Sequence, residues 1–226
     1  YEEAITYMYE TIEAQEENNN LTGVGRSLNT IANSYKSMGN NAKAMEYYTK
    51  SLKIRESIND TLGVGGCYNN IGNIYIDQME YDKAIDYVEK GLEKFIEVKR
   101  VMYQGIAIST LGDIYYRMKN YDKAKLYLDS AYVILDESGR KGDAIITLMS
   151  LANVYSDMNE YEKANASFEK GISESEERGD RLALGICLSA ATKSYLKQGN
   201  ISKSIATGKY GLKVTQETGL LIQTKE

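Results

Sequence analysis

Apolar and polar positions along the chain recur with a period of 40 residues. Five blocks of this length align without any insertion or deletion, and they begin at Leu21, Thr61, Val101, Lys141 and Arg181. Self-similarity at such a period is typical of repeat architectures, in which each unit buries its apolar face only against its neighbours. The pattern therefore predicts one continuous array of repeated units rather than a globular core.

Each block is predicted to hold two helices. In the second block, the residues spaced as one helical face are Tyr68, Ile71, Gly72 and Tyr75. This face predicts a first helix from about Leu62 to Gln78. A second helix follows from about Tyr81 to Val98, after a break that is Gly-Asn or a similar pair in the other blocks. Because Gly and Asn tolerate the left-handed conformation that ends helices, the break is expected to be a helix C-terminus.

Small residues recur where the two helices are expected to approach closely. One column holds Ala32, Gly72, Gly112, Ala152 and Thr192, and another holds Ser51, Gly91, Ala131, Gly171 and Gly211. Glycine inside a helix costs about 1 kcal/mol relative to alanine, so its repeated use predicts tight helix crossings. Larger residues are expected to fill the space between these crossings, in a column of Met8, Tyr48, Val88, Leu128 and Phe168.

These motifs resemble those of the tetratricopeptide repeat (TPR) family. The resemblance is carried by Asn70-Ile71-Gly72-Asn73-Ile74-Tyr75, by Tyr81-Asp82-Lys83-Ala84 and by Gly91-Leu92, and it recurs in the next block. It implies an all-α solenoid of helix hairpins that forms a right-handed superhelix. The family's usual period is 34 residues, and the proline that often closes its second helix is missing here. The longer period is similar to that of LGN-type adaptors, Rap-type phosphatases and the sensory regions of bacterial kinases, cyclases and transcription regulators.

The repeat frame divides the chain into one TPR array. Its segments are 1–20, the second helix of a truncated repeat; 21–60, 61–100, 101–140, 141–180 and 181–220, five full repeats; and 221–226, the start of a further repeat. Natural arrays usually finish with polar capping units. The chain is therefore expected to be a piece excised from a longer protein.

Composition narrows the classes of function. The chain has no His, which excludes the usual Ser–His and Cys–His nucleophile pairs and most zinc sites. We expect no catalytic residue, no metal and no cofactor. A net charge of −5 without a basic stripe argues against nucleic acid as a partner. No apolar run approaches about 18 residues, so membrane insertion is not expected either.

The two cysteines are predicted to be packing residues. Cys67 and Cys187 occupy the same column in repeats three apart, and the column otherwise holds small residues. Helix layers about 8–10 Å apart would place them beyond disulfide reach. Both thiols are therefore expected to be buried and unpaired.

A polar face on the first helices is the candidate binding surface, which in this family lines the concave groove. The predicted peptide-binding residues are Asn29, Asn33, Asn69, Asn70, Asn73, Asp113, Arg117, Asn153, Lys193 and Lys197. Asn is a poor residue for a helix interior, but its amide both donates and accepts, which suits the main chain of an extended peptide. The alternative is that duplication copied an Asn that caps or bridges neighbouring helices. The carboxylate clamp of chaperone-binding TPR proteins is incomplete, because Gly66, Ile76 and Asp77 follow Arg26 and Lys36.

Two functions remain open at this point. The first is a non-catalytic scaffold that binds a protein or peptide segment in its groove. The second is a sensory, regulatory or oligomerisation region of a bacterial signalling protein whose output domain lies outside this chain, and homo-oligomerisation is left open. A cytoplasmic location is favoured, with the periplasm as the alternative for a membrane-bound parent protein.

Overall fold

A computed structural model describes residues 2–218, which form eleven α-helices and no β-strand. The helices are α1 (Glu2–Glu17), α2 (Leu21–Ser37), α3 (Asn41–Ser57), α4 (Thr61–Asp77), α5 (Tyr81–Glu97), α6 (Val101–Arg117), α7 (Tyr121–Glu137), α8 (Lys141–Asp157), α9 (Tyr161–Glu177), α10 (Arg181–Lys197) and α11 (Ile201–Thr218). The predicted all-α class is confirmed. The first residue of the predicted segment 1–20, the last two residues of the predicted repeat 181–220 and the predicted start of a further repeat at 221–226 lie outside the described residues.

The helix boundaries follow the 40-residue period. The even-numbered helices α2, α4, α6, α8 and α10 begin at the first residue of the five blocks. In the second block, α4 covers Thr61–Asp77 and α5 covers Tyr81–Glu97, so each predicted boundary is correct to within one residue. No helix among residues 2–218 is long and apolar enough to cross a membrane.

The two residues of the break between the helices of a repeat have different structural roles. Its first residue has a positive φ in every repeat, at Gly39, Met79, Lys119, Asn159 and Gly199. Its second residue caps the next helix where it is Asn: the side chain of Asn40 accepts from the backbone N–H of Lys43 at 3.1 Å, whereas Glu80 and Glu160 make no such hydrogen bond. Asn120 and Asn200 cap α7 and α11 in the same way. The left-handed residue was correctly expected at glycine, whereas these asparagines are N-caps.

The chain divides into two compact units, Tyr1–Ile114 and Tyr115–Glu226. In the first unit, successive helices pack in chain order around two apolar clusters. These clusters contain Ile5, Ile12, Val24, Leu28 and Ile31, and Ala32, Ala44, Tyr48, Ile71 and Ile74. In the second unit, α8 packs between α7 and α9 and also contacts α10. Leu184, Leu188 and Val214 join α10 to α11 there.

The small-residue columns lie at close helix crossings, as predicted. A Cβ added to Gly72 would lie 2.5 Å from Cγ2 of Val88, and one added to Gly91 would lie 2.9 Å from the carbonyl oxygen of Gly65. Real Cβ atoms do not approach so closely, so α4 and α5 need glycine at both crossings. The large residues Val88 and Phe168 are fully buried beside such crossings.

Both cysteines are buried and free, as the repeat alignment predicted. Cys67 is 1% exposed and Cys187 is 0% exposed. Burial raises the pKa of the Cys67 thiol and raises that of Cys187 to about 11. The Sγ of Cys67 lies 3.4 Å from the Oγ of Ser51, which donates to the carbonyl oxygen of Gly25. The thiols are therefore packing groups that stay protonated near neutral pH.

Candidate functional site

The predicted binding residues lie on the even-numbered helices of both units. In the first unit, α2 carries Asn29 and Asn33, α4 carries Asn69, Asn70 and Asn73, and α6 carries Asp113. In the second unit, α6 ends with Arg117, α8 carries Asn153, and α10 carries Lys193 and Lys197. Within each unit these residues are called the inner polar face below, after the groove that the family resemblance predicts them to line.

One pair on this face joins successive repeats. The side-chain Nδ2 of Asn70 on α4 donates to Oδ1 of Asn29 on α2 at 3.0 Å. Both side chains are half-buried. This pair fits the alternative in which an asparagine bridges neighbouring helices, and it shows that α2 and α4 present adjacent parts of the same face.

A second asparagine bridges within its own repeat. Oδ1 of the exposed Asn33 accepts from the hydroxyl of Tyr48 on α3 at 2.5 Å. Burial is the main cause that raises the pKa of Tyr48 to about 12. The equivalents of Tyr48 are Val88, Leu128 and Phe168, which cannot donate a hydrogen bond. The contact between Asn33 and Tyr48 therefore has no counterpart in those three repeats.

Asn73 and Asn153 keep their amides available. Both side chains are half-buried, and neither has a hydrogen-bond partner among the described residues. An amide offers up to two donors and two acceptor sites. Asn73 and Asn153 are thus the half-buried asparagines of the inner polar face whose hydrogen-bonding capacity the described residues leave unused.

Asn69 lies inside the helix packing rather than on the open face. It is only 8% exposed, and its Oδ1 is buried without a hydrogen-bond partner among the described residues. Asn29 bonds to the residue 41 positions further along the chain, Asn70. The residue at the same distance from Asn69 is Thr110 on α6. The Thr110 hydroxyl instead donates to the carbonyl oxygen of Ile106 at 3.0 Å. A main-chain ligand on the face would therefore not reach Asn69 as readily as Asn73.

The charged residues of the second unit are partly neutralised. Nζ of Lys197 lies 2.7 Å from Oδ1 of Asp157 on α8, and it donates to the carbonyl oxygen of Ser156 at 3.0 Å. The hydroxyl of Tyr116 donates to Oδ2 of the same Asp157 at 2.8 Å. Lys193 is exposed and has no ion-pair partner among the described residues. Lys193 is therefore the residue of the inner polar face on α10 whose positive charge is available to a ligand.

A repeated contact that sequence reasoning did not single out holds each hairpin together. Nζ of Lys43 lies 4.8 Å from the ring centroid of Tyr35, and Tyr35 stacks on Tyr47 with centroids 5.5 Å apart. The same lysine–tyrosine contact occurs at Lys83 and Tyr75, Lys123 and Tyr115, Lys163 and Tyr155, and Lys203 and Tyr195. The sequence carries the signal, since a Lys follows each column Tyr by eight residues. These are cation–π contacts that stabilise the hairpin.

Sequence comparison shows the family. Models described as tetratricopeptide repeat match residues 66–137 and 103–173, and a further tetratricopeptide repeat model matches residues 25–58. These matches cover more than half of the chain, which therefore belongs to the tetratricopeptide repeat family. No curated protein sequence matches the chain significantly.

Solved structures show the same fold at low sequence identity. BtubC (BKLC) from P. vanneervenii has a TM-score of 0.78 and 15% identity, and the match covers 100% of this chain and 94% of that one. The Rap conjugation gene regulator of plasmid pLS20, in complex with the Phr* peptide, has a TM-score of 0.72 and 16% identity over 96% of this chain and 64% of that one. A signal transduction ATPase with numerous domains from Pyrococcus horikoshii, which has a tetratricopeptide repeat sensor, has a TM-score of 0.68 and 24% identity over 87% of this chain and 31% of that one.

Proposed function

We propose that the chain is a non-catalytic scaffold that binds an extended protein or peptide segment along its inner polar face. The observation that carries this proposal is the pair of half-buried amides, Asn73 and Asn153, at the same repeat position without a hydrogen-bond partner among the described residues. An amide that neither bridges helices nor lies buried can pair with the N–H and C=O of a peptide main chain.

The repeat spacing suits such a ligand. Neighbouring helices lie about 8–10 Å apart, and an extended chain advances about 3.3 Å per residue. One contact per repeat would thus meet about every third residue of the peptide. In the first unit these contacts are Asn33 and Asn73, with Asp113 on α6, and in the second unit they are Asn153 and Lys193. Arg117 would add a positive charge at the C-terminal end of α6, whereas the charge of Lys197 at the end of α10 is paired with Asp157.

The asparagines contribute unequally in this proposal. Asn29 and Asn70 satisfy one another, so they would mainly hold α2 beside α4. Asn69 is buried and would act on the packing of α4. The peptide main chain is therefore assigned to the column that includes Asn73 and Asn153, and the side chains around it would select the sequence of the ligand.

The comparisons support this proposal at the level of the fold. The Rap regulator of pLS20 that shares the fold was solved with a peptide, and family membership favours a protein-interaction role over catalysis. The proposal includes neither nucleic acid nor membrane insertion.

A second candidate is a sensory or regulatory region that relays a signal to an output domain encoded elsewhere in the gene. It is favoured by the likeness to the sensor-containing ATPase from Pyrococcus horikoshii, of which this chain matches 31%. The sequence of the parent gene tests it, because a kinase, cyclase or DNA-binding segment beside the array would support that role.

Titration with peptides tests the scaffold function itself. The purified chain is used to select from a random library of ten-residue peptides, and the selected peptides are then titrated by calorimetry while light scattering reports the oligomeric state. A monomer that binds selected peptides with one-to-one stoichiometry supports the scaffold. A chain that self-associates and captures no peptide contradicts it and favours the oligomerisation role.

A further inference from the structure

An open surface pocket of about 450 Å³, called the cavity below, lies in the first unit beside the turn that joins α5 to α6. Its lining residues are Leu62, Lys99, Arg100, Val101, Met102 and Tyr103. A volume of this size is within the range of sites that bind small molecules or single peptide residues. Leu62 is on α4 and Met102 is on α6, so the cavity is built from two helices of the inner polar face.

One side of the cavity, called the apolar wall below, is formed by the side chains of Leu62, Val101, Met102 and Tyr103. Leu62, Met102 and Tyr103 are half-buried, whereas Val101 remains 54% exposed. The ring of Tyr103 stacks on that of Phe95, with centroids 5.3 Å apart. Phe95 is itself buried in α5, so the tyrosine side of the cavity is held by the packing of the helix pair.

Two cations flank this apolar wall without a carboxylate partner. Lys99 and Arg100 are exposed, and neither side chain forms an ion pair among the described residues. The lining of the cavity contains no acidic residue. An arginine guanidinium binds a carboxylate through two parallel hydrogen bonds, so the cavity combines an anion-binding group with a surface for an aliphatic side chain.

In the equivalent turn of the next repeat, the arginine at the same position is paired with a carboxylate of this chain. Arg140 occupies the column of Arg100, and its Nε lies 2.5 Å from Oδ2 of Asp143. The counterpart of Asp143 in the earlier repeat is Tyr103. The same turn therefore differs between the two repeats. In the later repeat Asp143 pairs with the arginine, whereas in the earlier repeat Tyr103, a residue that lines the cavity, stands in place of that aspartate.

We propose that this cavity binds an acidic residue of the partner peptide, with a neighbouring aliphatic residue against Leu62 and Met102. The inference rests on the proposed function, since it names the chemistry of the segment that lies along the inner polar face. The carboxylate pairs with Arg100, with Lys99 beside it, and the aliphatic side chain covers the apolar wall. The cavity therefore fixes where along the face the acidic residue of the peptide lies.

The substitution Arg100→Asp separates binding from folding. It reverses the charge at position 100, and it installs the residue type that caps α4 and α10, where Asp60 and Asp180 accept from backbone N–H groups. The melting temperature should therefore not fall. Arg140→Asp is the matched control, because it changes the same column at a turn where the arginine is already paired.

The experiment selects binders from a random library of ten-residue peptides displayed on phage, with the full chain as bait. The expected consensus contains Asp or Glu next to Leu, Ile, Val or Met. A synthetic peptide with that consensus should bind Arg100→Asp about tenfold or more weakly than the wild type, which corresponds to the loss of one charge-assisted hydrogen bond. Arg140→Asp should change its affinity by less than about threefold, the difference expected for an exposed charge.

The outcomes separate this inference from the scaffold function. Selected peptides without acidic residues, or an affinity that Arg100→Asp leaves unchanged, overturn the cavity inference while the scaffold function stands. Peptides that are sensitive to Arg100→Asp but indifferent to Asn73→Ala support the cavity and overturn the role of the amides. A chain that captures no peptide overturns both.

Discussion

The side-chain amide of Asn70 donates to Oδ1 of Asn29 at 3.0 Å, and this hydrogen bond joins the first helices of two successive repeats. Three positions further along α4, the amide of Asn73 has no such partner among the described residues. Two asparagines of one helix therefore have different tasks, which is why the inner polar face cannot be treated as a uniform row of ligand contacts.

The first prediction compares Asn70→Ala with Asn73→Ala. Both changes gain the same helix propensity, but Asn70→Ala also loses the hydrogen bond to Asn29. Its free energy of unfolding should therefore be lower than that of Asn73→Ala by about 0.5–1.5 kcal/mol. Urea denaturation followed by circular dichroism measures the difference. Equal stabilities of the two variants would show that the bond between repeats contributes nothing.

The second prediction concerns the lysine–tyrosine contact of each hairpin. Lys43→Met keeps most of the apolar stem but removes the ammonium group above the Tyr35 ring, so the free energy of unfolding should fall by about 0.5–1 kcal/mol. Lys53→Met is the control, since Lys53 is exposed and has no ring contact among the described residues. The prediction fails if both variants melt at the same temperature.

The third prediction concerns the break within a repeat. Lys119 has φ of 59°, a left-handed conformation that costs a residue with a Cβ about 1 kcal/mol or more. Lys119→Gly should therefore raise the free energy of unfolding by roughly 0.5–1 kcal/mol. Gly39→Lys is the reverse change in the same column and should lower it. A destabilising effect of Lys119→Gly would mean that its side chain contributes more than the backbone strain costs.

The fourth prediction concerns Cys187. Burial raises the pKa of its thiol from the ordinary value of 9.0 to about 11. The raised value means that the protonated thiol is favoured in the folded state, so its contribution to stability is complete below pH 9 and is lost as the pH rises towards 11. Labelling by a thiol reagent at pH 8 should be slow in the native chain and fast in denaturant. Rapid native labelling, or a disulfide between Cys67 and Cys187, would contradict the burial.

The fold was predictable because the same pattern of apolar, small and helix-ending residues occurs in five aligned blocks. The Tyr75 and Gly72 columns set the face of the first helix, and the pairs such as Gly39-Asn40 set its end. The chemistry of the face was less predictable. Asn69 and Asn73 differ by only about 40° around the helix axis at ~100° per residue, yet one is buried and the other half-buried. That difference depends on how closely the neighbouring helices approach.

Partners on other helices were also beyond a periodicity argument. Asn33 accepts a hydrogen bond from the hydroxyl of Tyr48, a contact that depends on how α2 packs against α3. Lys197 was predicted to bind the peptide, but its ammonium lies 2.7 Å from Asp157 of the preceding repeat. The lysines above the tyrosine rings are visible in the sequence, because a Lys follows each of these tyrosines by eight residues. A comparison of apolar columns alone does not detect this spacing.

The most direct test of the scaffold function measures the affinity of a library-selected peptide for Asn73→Ala and for Lys90→Ala. Lys90 pairs with Asp86 on the exposed side of α5, so Lys90→Ala controls for an unrelated surface change. The account predicts that Asn73→Ala weakens binding by about 1–3 kcal/mol, the cost of a lost hydrogen bond at a desolvated contact, whereas Lys90→Ala leaves it unchanged and both variants stay folded. An affinity that Asn73→Ala does not alter, or an Asn73→Ala chain that unfolds, would contradict the assignment of the peptide to this face.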